Sequence, residues 1–165
     1  MLACDYERVP AAPALPLLAQ FEVDEPLEGQ VQHGLNLFLP LKAPVQMPAL
    51  LALIAGAKPQ VFKQLAMLDY VHFARFLPSP DGSILWVITT FDGDLNPYIM
   101  DFVGAIGDVF TEILYFIKGA PPLPVQRYPR EFIAFVNAHN IPQADVWSAY
   151  PDLTVIDIHA QAARS

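Results

Sequence analysis

The sequence predicts an α+β domain in which a four-stranded antiparallel sheet carries its helices on one face. Two apolar runs of equal length, 70–77 and 84–91, flank a cluster of turn-forming residues and therefore predict a β-hairpin. A segment of helical composition stands on each side of this hairpin. Further strand-like runs at 34–40 and 153–159 complete the order βαββαβ, which is the ferredoxin-like arrangement.

The first elements are an extended arm and a strand. Residues 1–30 contain four prolines and show no sustained hydrophobic period, which predicts a Pro-rich N-terminal arm in front of a single domain at 31–165. The run 34–40 predicts the first strand. Its leucines share one face, and Asn36 and Phe38 lie on the other.

Helical segments follow the first strand and the hairpin. Gly56 and Pro59 interrupt the apolar segment after the first strand, so we expect two short helices at 47–56 and 59–68. After the hairpin, Asn96 fits an N-cap that is followed by a proline. That helix is predicted to run from residue 96 to residue 117, and a shorter one from 129 to 139. The β-branched run 153–159 then predicts the last strand.

The composition restricts the possible partners. Hydrophobic residues make up 54% of the chain and charged residues 16%, against about a quarter charged in ordinary soluble domains. The net charge of -8 argues against binding to nucleic acid or to an anionic membrane surface, since both need clustered Lys and Arg. The most apolar long segment, 98–117, is interrupted by three acidic residues, so we expect no membrane span. The single cysteine, Cys4, rules out an intramolecular disulfide framework and favours a cytoplasmic location.

The strands of the hairpin are apolar on both faces, although helices are expected to cover only one of them. The uncovered face must therefore meet another surface, and a second copy of the same sheet is the simplest partner. We expect a homodimer, most simply a dimeric α+β barrel. Its interior would hold a small hydrophobic molecule.

Two pairs of residues are candidates for catalysis. His72 and Arg75 lie an odd number of residues apart on one strand, so they point to opposite faces unless a bulge intervenes. Whichever of them faces the interior would be a base, a metal or haem ligand, or an anion clamp. The alternative is a histidine hydrogen-bonded inside the core and an arginine paired with a carboxylate.

The second pair is Asp157 and His159, on one face of the predicted last strand. They would act as a base with its orienting carboxylate, or as two metal ligands, close to Asn36 on the neighbouring first strand. The alternative is a solvent-exposed strand end. A third metal ligand, a phosphate-binding glycine loop and a Cys-His zinc pattern are all lacking from the sequence. We expect the residues that line the cavity to include Asn36, Phe38, Trp86 and Asp92.

Four segments within residues 30–118 carry a resemblance to known proteins: Gln32-His-Gly-Leu-Asn-Leu, Val71-His-Phe-Ala-Arg-Phe76, Thr90-Phe-Asp-Gly93 and Tyr98-Ile-Met-Asp-Phe102. They resemble bacterial proteins, most of them without an assigned activity, in the dimeric α+β barrel class that includes dye-decolorising peroxidases and chlorite dismutases. The resemblance implies a ferredoxin-like fold. Those peroxidases bind haem through a histidine and carry a Gly-x-x-Asp-Gly motif. This chain has the Asp-Gly pair without the leading glycine and one ferredoxin-like unit instead of two, so no catalytic residue is carried over.

Three functional hypotheses follow from the sequence. The first is a homodimer that binds a small hydrophobic molecule in an apolar pocket and oxidises it in the manner of a cofactor-independent oxygenase. The second is a haem-binding relative of the peroxidases that uses His72 or His159. The third is a non-enzymatic interaction module whose arm, residues 1–30, docks on another protein.

Overall fold

A computed structural model describes residues 30–142 and 147–164, so the predicted N-terminal arm lies outside the described residues. The described chain forms an α+β fold around a three-stranded antiparallel sheet in the order β1-β3-β2. The strands are β1 (Gln32–Pro40), β2 (Val71–Pro78) and β3 (Ile84–Asp92). The predicted hairpin is confirmed as β2 and β3, and the predicted first strand as β1.

Four helices accompany the sheet: α1 (Met47–Leu68), α2 (Leu95–Leu114), α3 (Pro129–His139) and α4 (Val155–Ala162). The leucines of β1 and the alternate residues of β3 are buried against α2 and α3. A row of ring contacts joins these three layers through Phe91, Tyr98, Phe102, Phe110 and Phe132. The three acidic residues of α2 all lie on its exposed side, as an amphipathic helix requires.

The prediction of two short helices before the hairpin is wrong, because α1 is one continuous helix of 22 residues with Pro59 inside it. Proline at this position removes one backbone donor, which is a local cost. Burial of Leu50 before the proline and Val61 after it holds both halves against the same core. Packing therefore outweighs the helix-breaking tendency of Pro59.

The prediction of a last strand at 153–159 is also wrong, because these residues begin α4. Thr154 accepts a hydrogen bond from the Asp157 amide, and the Asp157 carboxylate accepts one from the Thr154 amide. This reciprocal capping box specifies the first turn of a helix. Among the described residues, the sheet consequently has three strands where a complete ferredoxin-like sheet has four.

The outer edge of β1, where the fourth strand was expected, is covered by irregular chain after α3. The Ile141 amide donates to the Asn36 carbonyl at 2.9 Å, and the Asn36 amide donates to the Asn140 side chain at 2.9 Å. Further along, the Lys118 amide donates to the Pro40 carbonyl at 2.8 Å. These bonds satisfy backbone groups that an open edge would leave free to pair with another chain.

The face of the sheet opposite α2 and α3, which we call the far face, is largely apolar. Phe73 is 56% exposed there and Leu77 is 44% exposed. Arg75 lies between them on the same face of β2. The segment 147–153 covers one end of this face, where the Gln32 side chain donates to the carbonyls of Tyr150 and Leu153. The remainder of the far face is neither charged throughout nor covered by described residues.

One described segment, Pro44–Leu68, has the length and composition of a membrane-spanning helix, with a mean hydropathy of 1.2. In this fold α1 packs along α2 and contacts β2. The core helix of a globular domain can have the same composition, so this one helix is weak evidence for a membrane span. The expectation that the chain has no membrane span stays a prediction.

Candidate functional site

The candidate site begins at an irregularity in β2. The pairing of β2 with β3 shifts between Val71 and Phe73, so His72 is the extra residue of a β-bulge. A bulge is the condition under which His72 and Arg75 could enter one pocket. The two side chains nevertheless line different cavities.

His72 forms a buried pair with Asp92 at the end of β3. The distance from His72 Nε2 to Asp92 Oδ1 is 2.7 Å, and 4% and 9% of the two side chains are exposed. An ionised carboxylate can only accept hydrogen bonds, so Nε2 carries the proton in this pair. In the neutral ring, Nδ1 is then left as a proton acceptor.

The second carboxylate oxygen of Asp92 fixes the C-terminal helix. Its Oδ2 accepts a hydrogen bond from the backbone amide of Val155 at 2.8 Å, at the first residue of α4. The same carboxylate therefore orients the His72 ring and holds the start of α4. Two hydrogen bonds, one to each oxygen, restrict the orientation of a buried carboxylate.

A cavity of about 360 Å³ adjoins this pair, between the second half of α1, the start of β2, and α4. His72, His159 and the exposed Asp69 line it, and its other lining residues are apolar: Phe62, Leu65, Ala66, Val71, Phe73, Ala74 and Val155. The volume lies within the range of small-molecule sites. An apolar wall with few polar groups is typical of a site that binds an organic molecule.

The structure brings three of the predicted site residues, His72, Asp92 and His159, to this one region. His159 arrives there because α4 is a helix that docks beside the bulge, and not by the strand pairing that we expected. The prediction that it lies near Asn36 through a shared sheet is therefore wrong. Asp157, in contrast to His159, does not line this cavity.

Asp157 has a structural task in the capping box of α4. Its hydrogen bonds from the Thr154 side chain and amide hold the pKa of the carboxyl below its usual range. Because the carboxylate is already committed to the first turn of the helix, it is not available to orient His159. The predicted catalytic pairing of Asp157 with His159 has no support in the geometry.

The other predicted residues lie elsewhere on the far face. Arg75 and Asn36 line a more polar groove of about 440 Å³ together with the segment that includes Ser148. Phe38 and Trp86 are cross-strand partners whose rings meet edge to face at 5.1 Å. Neither ring lines the cavity of His72.

Sequence reasoning missed the residues that α1 and α4 contribute to the cavity, chiefly Phe62, Leu65 and Val155. The available signal was the apolar character of 47–68 around its whole circumference, which indicates a helix with more than one apolar neighbour. That signal does not say which neighbour each side contacts. The sequence also contains nothing that specifies how α4 docks on Asp92.

The same residues determine whether a metal ion or haem could bind at this site. The described part of the chain contains no group of three or more His, Cys, Asp or Glu side chains placed to hold a metal ion. His72 does not fit an axial haem ligand through Nε2, because that nitrogen is bonded to Asp92 at 2.7 Å. His159 is exposed at the rim of the cavity, so it is the one histidine there that could reach a haem iron.

Comparison of the chain with family models, with curated proteins and with solved structures finds no match.

Proposed function

We propose that this protein binds a small, mainly apolar molecule in the cavity beside His72, and that the His72–Asp92 pair accepts a proton from it. The observation that carries this proposal is a buried histidine, bonded to a carboxylate at 2.7 Å, on the wall of a largely apolar cavity. Proton transfer by an oriented histidine is common near neutral pH, where the ring can take either charge state.

Asp92 supports this role in two ways. It selects the tautomer in which Nδ1 is the acceptor, and its negative charge stabilises the imidazolium that forms when a proton arrives. The bond from the Val155 amide keeps the carboxylate in place during this change. The ring therefore keeps one orientation in both charge states.

A more specific activity fits the same arrangement. Removal of a proton from a phenol- or enol-type ligand leaves an electron-rich anion, which is the form that molecular oxygen attacks without a cofactor. The apolar lining of the cavity would keep this anion away from bulk water. A cofactor-independent oxygenase is the form of this proposal that our sequence analysis favours.

The test uses 4-nitrophenol, which has an aromatic body and an acidic hydroxyl, and whose anion absorbs visible light. We expect binding to the intact chain to lower the apparent pKa of the ligand, because His72 takes its proton. His72→Gln keeps a donor for Asp92 but removes the proton acceptor, so the apparent pKa of the bound ligand should rise to its free value or above it, since an apolar cavity disfavours the anion. The matched control is His139→Gln, since His139 bonds the Phe135 carbonyl on α3, outside the cavity.

Nitrobenzene, titrated by calorimetry, separates binding from proton transfer. If nitrobenzene binds and the pKa of bound 4-nitrophenol is the same in the wild type and in His72→Gln, the cavity is a binding site without a base. If neither ligand binds, the whole proposal fails. A Soret band after haem reconstitution that disappears in His159→Ala would replace it with the haem hypothesis.

A further inference from the structure

A second groove, which we call the α1 groove, lies between α1, β2 and α2. Its volume is about 270 Å³, and it adjoins the cavity of His72, because Phe62 and Ala74 line both. Its remaining walls are apolar apart from one residue: Leu51, Ile54, Ala55, Ala57, Val61, Phe76, Val109 and Ile113. The groove is a separate feature from the His72–Asp92 pair.

The apolar walls of the α1 groove are incompletely covered by protein. Leu51 and Ile54 on α1 and Phe76 on β2 are only partly buried, although all three pack at the margin of the core. Apolar side chains around such a gap gain free energy when an apolar group fills it and displaces water. The volume is close to the lower limit of ordinary ligand sites, which suits a molecule with a single hydrocarbon chain.

Lys58 is the charged residue that lines this groove. Its Nζ lies 5.1 Å from the centroid of the Phe62 ring, one helical turn along α1. Lys58 has no carboxylate partner within residues 30–142 and 147–164, where His72 and Asp92 form the ion pair. Helix α1 itself contains two lysines and no acidic residue, although the chain as a whole carries a charge of -8.

From this combination we infer that the α1 groove binds an aliphatic monocarboxylate, with its hydrocarbon chain in the groove and its carboxylate against Lys58. The apolar walls select the chain, and the ammonium, which has no carboxylate partner among the described residues, selects the negative end. The cation above the Phe62 ring is held near the rim of the groove, where it can meet a carboxylate that stays in contact with water. The inference does not depend on proton transfer at His72.

The experiment compares decanoate with decanol by isothermal titration calorimetry on the full chain, at concentrations below the onset of micelles. The two probes share a hydrocarbon chain and differ in charge. We expect decanoate to bind more tightly, and we expect Lys58→Gln to weaken it by roughly two- to fivefold, the effect of an exposed charge pair. Decanol binding should not change in that variant.

Two further variants locate the effect. Lys63→Gln removes the other lysine of α1, which is exposed and does not line the groove, so decanoate binding should stay as in the wild type. Ala57→Leu places extra carbon atoms in the groove and should weaken both probes at least tenfold. Thermal unfolding followed by circular dichroism verifies that each variant is folded.

Several results would overturn the inference. Equal affinity for decanoate in the wild type and in Lys58→Gln would remove the role of the charge. Co-flotation with phosphatidylcholine vesicles that Ala57→Leu leaves unchanged or strengthens would make α1 a lipid-surface contact instead, since added apolar area favours such a contact. Loss of self-association in Ala57→Leu would make the groove a protein interface. We expect His72→Gln to leave decanoate binding unchanged, because His72 does not line the α1 groove. Either of the two proposals can therefore fail without the other.

Discussion

At the level of single residues, the Tyr98 hydroxyl is a polar group buried in the core. It donates to the Thr89 hydroxyl at 2.8 Å, and its ring stacks on Phe91 with centroids 3.9 Å apart. Burial raises the pKa of Tyr98 above its usual range. The core therefore contains a phenol that must stay neutral.

We expect Tyr98→Phe to lower the free energy of unfolding by about 1 kcal/mol near pH 7, because Thr89 loses its buried partner. The unfolded chain loses the tyrosine proton near pH 10, before the native state does, so this stabilisation is present below about pH 10 and declines as the pH rises further. The stability gap between the wild type and Tyr98→Phe should therefore narrow between about pH 7 and about pH 10.5.

Urea denaturation at both pH values measures this effect. Tyr115→Phe is the matched control, since Tyr115 is exposed and its replacement should change stability little at either pH. A gap that is constant or widens at high pH would show that the ionisation of Tyr98 is not linked to unfolding.

At the level of elements, a proline inside α1 lowers the stability of that helix. Pro59 lacks the N–H that would bond the Ala55 carbonyl, and its ring crowds the preceding turn. Pro48 is different, because it lies in the first turn, where its missing N–H would have no helical acceptor.

Pro59→Ala should therefore raise the free energy of unfolding by about 1–3 kcal/mol. Pro48→Ala should change it by no more than about 0.5 kcal/mol. Thermal and urea unfolding of the two variants provide the comparison. Equal effects, or a loss of stability in Pro59→Ala, would contradict the prediction.

The hairpin illustrates what the sequence could predict. Its loop contains Ser79, Asp81, Gly82 and Ser83, and Asp81 accepts bonds from both serines, which lower its pKa to about 2. Gly82 adopts a φ of +71°, which favours glycine. The turn is decided by residues a few positions apart, so its chemistry is visible in the sequence.

The last element illustrates the limit. The β-branched residues from Leu153 onward favour a strand, but the bonds between Thr154 and Asp157 specify a helix. The Thr-x-x-Asp spacing was visible in the sequence and would have indicated this helix. The docking of α4 on Asp92 was not, because it joins residues 63 positions apart through a single backbone amide. For the same reason, His72 and His159 could be named as candidates but not placed together.

At the level of the whole molecule, the far face is the surface on which the proposed dimer depends. Phe73 and Leu77 are exposed there beside Trp86 and Ile88, and Arg75 is the one exposed charged residue on the described part of that face. An apolar face of this kind is typical of a surface that meets a protein partner. Our proposal is that a second copy of the chain covers it.

We expect the purified chain to sediment as a homodimer at micromolar concentration and Leu77→Glu to shift it towards the monomer, because a charge is then buried at the contact. Val45→Glu is the control: Val45 is 84% exposed in the short turn before α1, away from the far face, so its replacement should leave the dimer intact. A wild-type chain that sediments as a monomer throughout would contradict the prediction.

Through its two oxygens, Asp92 links the orientation of the His72 ring to the position of helix α4. One oxygen positions the imidazole, and the other is satisfied by the first amide of the C-terminal helix. A polypeptide shortened before residue 155 would retain its histidine, yet the carboxylate beside it would be rehydrated and free to turn away. Proteolytic trimming of these residues would in this way release the orientation of His72, and it would also remove Val155 and His159 from the wall of the cavity.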